Sequence, residues 1–235
     1  MDYSNKNNII LELNESNEDK YYPLLVASNN NNIEIVKLLV KYANKNKIIL
    51  KLNKEIYNGW YPLLKAVSNK NIEMVKLLVE YAKENKIILE INIKNAYGWY
   101  PLLSAVHNNT IEIVKLLMAY AKENNIILNL NEKTNNDKWY PLLNAINNNN
   151  IEMVKLLMEY ANKNNVFLEL NNINSNGLYP LLKAINNKNI EMVKLLMEYS
   201  NKNNIILELN KKGRYGYYPI LKAIDNNDIE MVKLL

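Results

Sequence analysis

The chain has 235 residues and a net charge of +5, from 29 basic and 24 acidic side chains that are interspersed along it. This balance favours solubility over nucleic-acid binding, so we expect no nucleic-acid partner. Cysteine is absent and the one histidine is His107. This composition excludes a disulfide framework, a thiolate zinc site, a cysteine nucleophile and a histidine metal cluster.

The N-terminus and the apolar runs bear on cellular location. Residues Met1 to Lys20 are polar and contain no apolar core of a signal peptide. No apolar run approaches the ~20 residues that a membrane-spanning helix needs. We therefore expect a cytoplasmic protein that does not enter a membrane.

Proline marks an internal repeat. Each proline follows a tyrosine and precedes a short apolar run, at intervals of 39, 39, 40, 39 and 39 residues. The six positions are Pro23, Pro62, Pro101, Pro141, Pro180 and Pro219. A period of this size indicates stacked supersecondary units, which need no single closed core. We predict a single array of about six repeats over residues 1–235.

The second repeat shows how one unit is built. Pro62 suits the first turn of a helix, and the apolar residues up to Val67 predict a short helix A. A polar turn follows, and its second position is asparagine in every repeat. These asparagines are Asn30, Asn69, Asn108, Asn148, Asn187 and Asn226. Because asparagine tolerates the left-handed conformation, we expect it to adopt that conformation here.

A longer helix B follows the turn. Asn71 is the predicted N-cap, and Glu73 places a negative charge in the first turn, which the helix dipole favours. The predicted buried stripe consists of Ile72, Val75, Leu78, Val79 and Ala82. We expect residues 81–86 to extend this helix. Residues 87–92 are rich in β-branched side chains, which predicts an extended finger. Residues 93–98 form the polar tip of that finger. The one extra residue of the long interval falls in the finger 132–140, because loops accept insertions.

These residues resemble the ankyrin repeat. Its pattern Gly-x-Thr-Pro-Leu-His-x-Ala, followed after a turn by Glu-Ile-Val-Lys-Leu-Leu-Leu, is similar to Gly59-Trp-Tyr-Pro-Leu-Leu-Lys-Ala66 and Glu73-Met-Val-Lys-Leu-Leu-Val79. The match recurs in every repeat, and the resemblance implies an all-α ankyrin-like solenoid of helix-turn-helix units with finger loops. A tetratricopeptide-like array is the less favoured alternative, since its aromatic and small-residue pattern is absent.

The chain departs from the ankyrin pattern in regular ways. Tyrosine replaces threonine and leucine replaces histidine, so the hydroxyl cap and the imidazole hydrogen bonds of the family are lost, and we expect apolar packing between repeats to substitute. The usual period is about 33 residues, and the extra residues fall between Tyr81 and Ile91. We therefore expect a helix B that is longer than usual.

The ends of the chain lie within repeats. Residues 1–14 match residues 197–210 except for Asp2 in place of Glu198, so the chain begins within a helix B. It ends at Leu235 in the middle of another helix B. Since neither end resembles a polar capping repeat, our hypothesis is that the chain is a segment of a longer array.

No catalytic pattern is present in the sequence. We find no paired carboxylates, Ser/His/Asp set, metal-spaced histidines or phosphate-binding glycine loop. A lysine stripe on helix B recurs three residues after a glutamate of the same repeat, so we expect it to be neutralised locally and solvated. Its members are Lys37, Lys76, Lys115, Lys155, Lys194 and Lys233. We predict a non-enzymatic protein without cofactor or metal.

An aromatic row favours a protein partner. Two residues before the prolines stand Tyr21, Trp60, Trp99, Trp139, Leu178 and Tyr217, and nearby tip residues vary from repeat to repeat. The resemblance implies that this position lies at the finger base on the concave side, where ankyrin repeats touch bound proteins. The predicted partner-binding residues are Tyr57, Trp60, Tyr97, Trp99, His107, Trp139, Tyr215 and Tyr217.

These observations predict a monomeric protein–protein interaction module. Three alternatives stay open: the aromatic row packs one repeat against the next, the chain is a structural spacer in a larger protein, or it is an adaptor whose activity lies in another domain. His107 stands where other repeats carry asparagine, serine or aspartate, so we interpret it as a surface polar residue rather than a ligand or base.

Overall fold

The computed structural model describes residues 1–235, apart from the side chain of residue 5, and contains two compact units. In the N-terminal unit, Met1–Leu128, the helices are α1 Asp2–Lys6, α2 Pro23–Asn29, α3 Ile33–Asn46, α4 Pro62–Ser68, α5 Ile72–Glu84, α6 Pro101–His107 and α7 Ile111–Glu123. In the C-terminal unit, Asn129–Leu235, they are α8 Pro141–Asn147, α9 Ile151–Lys163, α10 Pro180–Asn186, α11 Ile190–Lys202, a 3-10 turn Arg214–Gly216, α12 Pro219–Asp225 and α13 Ile229–Leu234. The described chain contains no strand, so the all-α prediction is confirmed.

Each repeat begins its helix A at the proline, as predicted. The preceding tyrosine is extended, with φ −142° and ψ 164° at Tyr61, because a residue before proline avoids the helical region. Within each unit the short helices of successive repeats pack side by side, α2 on α4 on α6 and α8 on α10 on α12. Their apolar side chains, such as Leu63 and Leu64, are fully buried and form the core.

The turn asparagine does not adopt the predicted left-handed conformation. Asn69 has a φ of −79°, and the left-handed residue is the next one, Lys70, with a φ of 58°. The asparagine side chain instead reaches the preceding repeat: Asn69 Nδ2 donates to the carbonyl of Ser28 at 3.0 Å, and Asn226 Nδ2 to that of Ile185 at 2.8 Å. This residue therefore joins repeats through a hydrogen bond.

Helix B follows the predictions with one change in its buried face. The Asn71 side chain accepts a hydrogen bond from the N–H of Met74 at 2.9 Å, which confirms the N-cap. Met74 is fully buried, whereas Ile72 is half-buried, because the stripe that faces the core is rotated toward Met74. The helix continues past Tyr81 as predicted but ends at Glu84, two residues before the predicted end at residue 86, where Lys86 has a positive φ.

The residues after helix B form no strand, so their backbone groups bond to side chains of neighbouring repeats. The Tyr81 hydroxyl accepts from the N–H of Leu50 at 3.1 Å and donates to the carbonyl of Ile48 at 3.2 Å. The Tyr120 hydroxyl accepts from the N–H of Leu89 at 2.8 Å in the same way. In the C-terminal unit, the Tyr199 hydroxyl accepts from the N–H of Leu168 at 3.2 Å.

An asparagine side chain of the preceding repeat makes two hydrogen bonds to the backbone of the same segment. Asn53 Nδ2 donates to the carbonyl of Ile88 at 2.7 Å, and its Oδ1 accepts from the N–H of Glu90 at 3.2 Å. The same pair of hydrogen bonds recurs at Asn14, Asn131 and Asn171. Within this segment Ile88 is exposed whereas Leu89 and Ile91 are buried, so the chain is held with one side against the core.

The tyrosine before each proline also bonds to the next repeat. The Tyr61 hydroxyl lies 3.0 Å from the carbonyl oxygen of Glu90, and the Tyr22 hydroxyl donates to the carbonyl of Lys54 at 2.8 Å. In the C-terminal unit, Tyr140 and Tyr179 donate to the carbonyls of Asn172 and Lys211, each at 2.8 Å. Tyrosine hydrogen bonds therefore join the repeats in addition to the expected apolar packing, in which Leu64 and Leu103 are fully buried.

The lysine stripe on helix B is exposed and pairs mainly with the following repeat. Lys37 Nζ lies 2.7 Å from Glu73, and Lys76 Nζ lies 2.6 Å from Glu112. A pair within one repeat, as the sequence predicted, is formed by Lys37 and Glu34 at 3.0 Å. Because exposed ion pairs contribute about 0–1 kcal/mol, this ladder adds little to stability.

We expect Tyr81→Phe to destabilise the protein by about 1–3 kcal/mol, because it leaves the buried N–H of Leu50 without an acceptor. The matched control is Tyr97→Phe, which removes the hydroxyl of an exposed tip tyrosine. The measurement is urea unfolding followed by circular dichroism. Equal midpoints for the two variants would show that the hydroxyl bond contributes nothing.

Burial raises the pKa of the hydroxyls of Tyr22, Tyr61, Tyr140 and Tyr179 above the usual value. Because the folded state holds these protons more tightly, the associated stability is complete below the unfolded pKa of about 10 and is lost as pH rises above it. We therefore expect the urea midpoint to fall between pH 9 and pH 11. Tyrosinate absorbance should show a subset of the 17 tyrosines ionising only as the helices unfold. Ionisation of all of them near pH 10 with the helices intact would contradict this expectation.

Candidate functional site

Three finger tips are each held by one buried polar residue that the sequence analysis missed: Asn95, Thr134 and Asn174. Asn95, buried in the tip before α6, accepts at Oδ1 from the N–H groups of Tyr97 (3.0 Å) and Trp99 (2.9 Å). Its own N–H donates to the carbonyl of Trp99 at 2.8 Å. Asn174 and Thr134 hold Leu178 and Trp139 in the same way in the C-terminal unit. An asparagine or threonine six or seven residues before the proline, which can form an Asx or Ser/Thr turn, is the signal that could have found them.

These tips position the aromatic row at the start of helix A. In the N-terminal unit, Trp60 and Trp99 are half-buried, so each ring has one part in contact with the protein and one part in solvent. Trp139 and Tyr217 in the C-terminal unit have the same intermediate exposure. We name the row, the adjoining tips and the outward residues of helix A the finger/helix A face of each unit.

A cation or an imidazole lies against several of these rings. Lys65 Nζ sits 3.8 Å from the centre of the Trp60 ring, and Lys222 Nζ sits 5.0 Å from that of Tyr217. Such cation–π contacts are worth about 0.5–1 kcal/mol at exposed sites. Burial lowers the pKa of Lys65, and no carboxylate lies within ion-pair distance of it among the described residues.

His107 belongs to the same face. Its ring meets the Trp99 ring edge-on, with centroids 4.9 Å apart and planes at 65°, and the side chain lies at the exposed end of α6. The sequence interpretation of His107 as a surface polar residue agrees with this position. The contact places it beside the aromatic row.

The predicted tip residues are more exposed than the row. Tyr57 and Tyr97 are 70% and 49% exposed in the N-terminal unit, and Tyr215 is 82% exposed in the C-terminal unit. The Tyr57 ring has Lys20 Nζ 4.3 Å from its centre. The structure therefore brings Tyr57, Trp60, Tyr97, Trp99 and His107 to the fingers and helices A of one unit. It brings Trp139, Tyr215 and Tyr217 to those of the other.

The chemistry of these faces is non-covalent contact through rings and cations. Among the described residues, no group of three or more His, Asp or Glu side chains is arranged to hold a metal ion. No helix in the described chain is long and apolar enough to cross a membrane.

Comparison with known proteins identifies the architecture. The family model for ankyrin repeats, which spans three copies, matches residues 3–88, 24–127, 82–168, 124–204 and 165–235. The structure is similar to that of the ankyrin repeat domain of Bcl-3, described as a unique member of the IkappaB protein family. That comparison has a TM-score of 0.64 and 21% identity, and it covers 92% of this chain and 86% of that one.

A second solved structure, of the ankyrin repeat protein EF0377, matches with a TM-score of 0.64 and 24% identity over 90% of this chain and 95% of that one. No curated protein sequence gives a significant match. At these identities the two structures show the fold alone. Because the family model matches the chain from residue 3 to residue 235, this chain belongs to the ankyrin repeat family.

Proposed function

We propose that this chain is a non-enzymatic binding module that holds another protein through the finger/helix A face of its units. Ankyrin repeats generally mediate protein–protein interactions. The observation that carries the proposal is the half-exposed aromatic row, in which finger-tip hydrogen bonds hold the backbone of all three tryptophans. Tryptophan and tyrosine in such positions are the commonest anchors of protein interfaces.

The fixed backbone supports binding without a conformational change. Trp99 is held by Asn95, and the helix behind it begins at Pro101 in a fully buried setting. A partner that meets this surface orders few additional side chains, so less binding free energy is lost to entropy. In the same proposal the module acts as a cytoplasmic monomer that binds neither nucleic acid nor membrane, which light scattering and cell fractionation test.

The competing function is that of a structural spacer. The contacts of Trp60 with Lys65 and of Trp99 with His107 favour it, because they show that part of each ring already packs within the chain. The two functions differ in what the rings stabilise. In a binding module the exposed parts hold a partner, whereas in a spacer the rings only stabilise the fold.

We expect the double variant Trp60→Ala, Trp99→Ala to lose a partner that wild type captures from lysate of the source cell. A truncated hot-spot tryptophan costs about 2 kcal/mol or more, which weakens binding about 30-fold for each ring. The matched control is the double variant Ile49→Ala, Ile88→Ala, which removes two apolar side chains of 58% and 57% exposure outside this face. It should retain the partner.

Thermal melting of both variants separates the two functions. Loss of capture with an unchanged melting temperature supports the binding module. A large fall in melting temperature with the tryptophan variant, or capture that survives it, would assign the row to the scaffold and leave the spacer function. The single variant Trp139→Ala repeats the test in the C-terminal unit.

A further inference from the structure

The C-terminal unit contains a cavity on its finger/helix A face. It has a volume of about 320 Å³ and lies between the finger that precedes α10 and the finger that precedes α12. Leu178, Leu182 and Tyr217 supply apolar walls, and Arg214 and Lys222 supply cations. This volume is at the lower end of the range for ligand pockets, so it suits one large side chain and its immediate neighbours.

Two glycines lie where the two fingers meet, and one of them, Gly177, lines the cavity. A Cβ on Gly177 would overlap the backbone of Arg214, and a Cβ on Gly213 would overlap the carbonyl oxygen of Gly177. Gly177 also has a φ of +72°, which a side chain would strain. The two fingers therefore touch at Gly177 and Gly213. The cavity lies beside this contact, between larger side chains such as Leu178 and Tyr217.

The charged side chains that line the cavity are all positive. No aspartate or glutamate is among the described residues that line it. The Arg214 guanidinium lies 4.9 Å from the centre of the Tyr215 ring and has no carboxylate within ion-pair distance in the described chain. Lys222 Nζ already pairs with Asp225 at 2.6 Å. Arg214 is therefore the lining cation that is available to bind a carboxylate from outside.

The residue after Leu182 in sequence is also a cation. Lys183 follows Leu182 on α10, is half-buried, and makes no ion pair among the described residues. Burial lowers the pKa of Lys183, since the charged form lacks solvent. A carboxylate from outside would therefore be favoured by Arg214, the lining cation that makes no ion pair among the described residues.

We propose that this cavity binds an acidic peptide segment of the protein partner. One apolar side chain of the peptide enters between Leu178, Leu182 and Tyr217, and an adjacent aspartate or glutamate meets Arg214. Arginine suits a carboxylate because its planar fork can donate two parallel hydrogen bonds. This inference rests on the proposed function, because the cavity belongs to the finger/helix A face of that unit.

The test is an unbiased selection of 12-residue displayed peptides on the full 235-residue chain. The enriched peptides should carry net negative charge around a leucine, isoleucine or phenylalanine. The best synthetic peptide, labelled with fluorescein, is then titrated by fluorescence polarisation against wild type and two variants. Arg214→Glu should weaken its binding about tenfold or more, because it replaces a charge-assisted hydrogen bond with a like charge.

The matched control is Lys212→Glu, which makes the same change of charge on the same finger at an exposed residue outside the cavity. It should change the affinity less than threefold. A second variant, Arg214→Gln, removes the charge without reversing it and should weaken binding in the same direction. Wild-type circular dichroism in all three variants shows that the fold is intact.

Several outcomes would overturn the inference. They are enrichment of neutral or basic peptides, equal loss with Lys212→Glu and Arg214→Glu, no enrichment at all, or tighter binding of a labelled oligouridylate than of the peptides. Failure here is separable from failure of the proposed function. If a partner is captured by wild type and by Arg214→Glu but lost by the Trp60→Ala, Trp99→Ala variant, the binding module stands and the acidic-peptide cavity does not.

Discussion

The repeats depend on the hydrogen bonding of a backbone segment that is neither helix nor strand. Between helix B and the next proline, each repeat has about fifteen residues whose N–H and C=O groups cannot all pair locally, and a buried unpaired group costs about 1–3 kcal/mol. The Tyr81 hydroxyl and the Asn53 amide satisfy such groups in adjacent repeats. A repeat of this kind is therefore stable only next to another, and this explains why the same two residue types recur at the same positions.

This bonding also explains how a period longer than 33 residues is accommodated. The additional residues go partly into helix B, which reaches Glu84, and partly into the segment 87–92 that Tyr120 and Asn53 fasten. The longer segment keeps one side against the core, because Leu89 and Ile91 are buried. The fingers are consequently anchored at their bases. At their tips, Asn95 and Asn174 hold the backbone of Trp99 and Leu178 through hydrogen bonds.

The sequence predicts the fold well because helix A, helix B and their N-caps are local features. Proline at the first turn, Asn71 at the N-cap and the apolar stripe each act within a few residues, and each lies where it was predicted except for the rotation of the stripe to Met74. The role of Asn69 was wrong because its partner, Ser28, is in another repeat. The tyrosine hydroxyl bonds span 31 residues for Tyr81 and 29 for Tyr61, so they leave no local pattern and could not be found from sequence either. The residues of the aromatic row could be named from sequence. The lysine over Trp60 and the cavity beside Arg214 could not, because both depend on where side chains are placed in three dimensions.

The repeats divide their residues between holding the array together and varying its surface. Tyrosine before proline and asparagine at the second turn position are the same in all six repeats, and these are the residues that bond to neighbouring repeats. The fourth residue of helix A differs more, as Val26, Lys65, Ser104, Asn144, Lys183 and Lys222. Ser104 and Asn144 are buried, whereas Lys65 and Lys183 are half-buried. Burial lowers the pKa of both lysines, and neither has a carboxylate within ion-pair distance in the described chain. An acidic partner would supply that carboxylate and so offset the cost of leaving these charges half-buried.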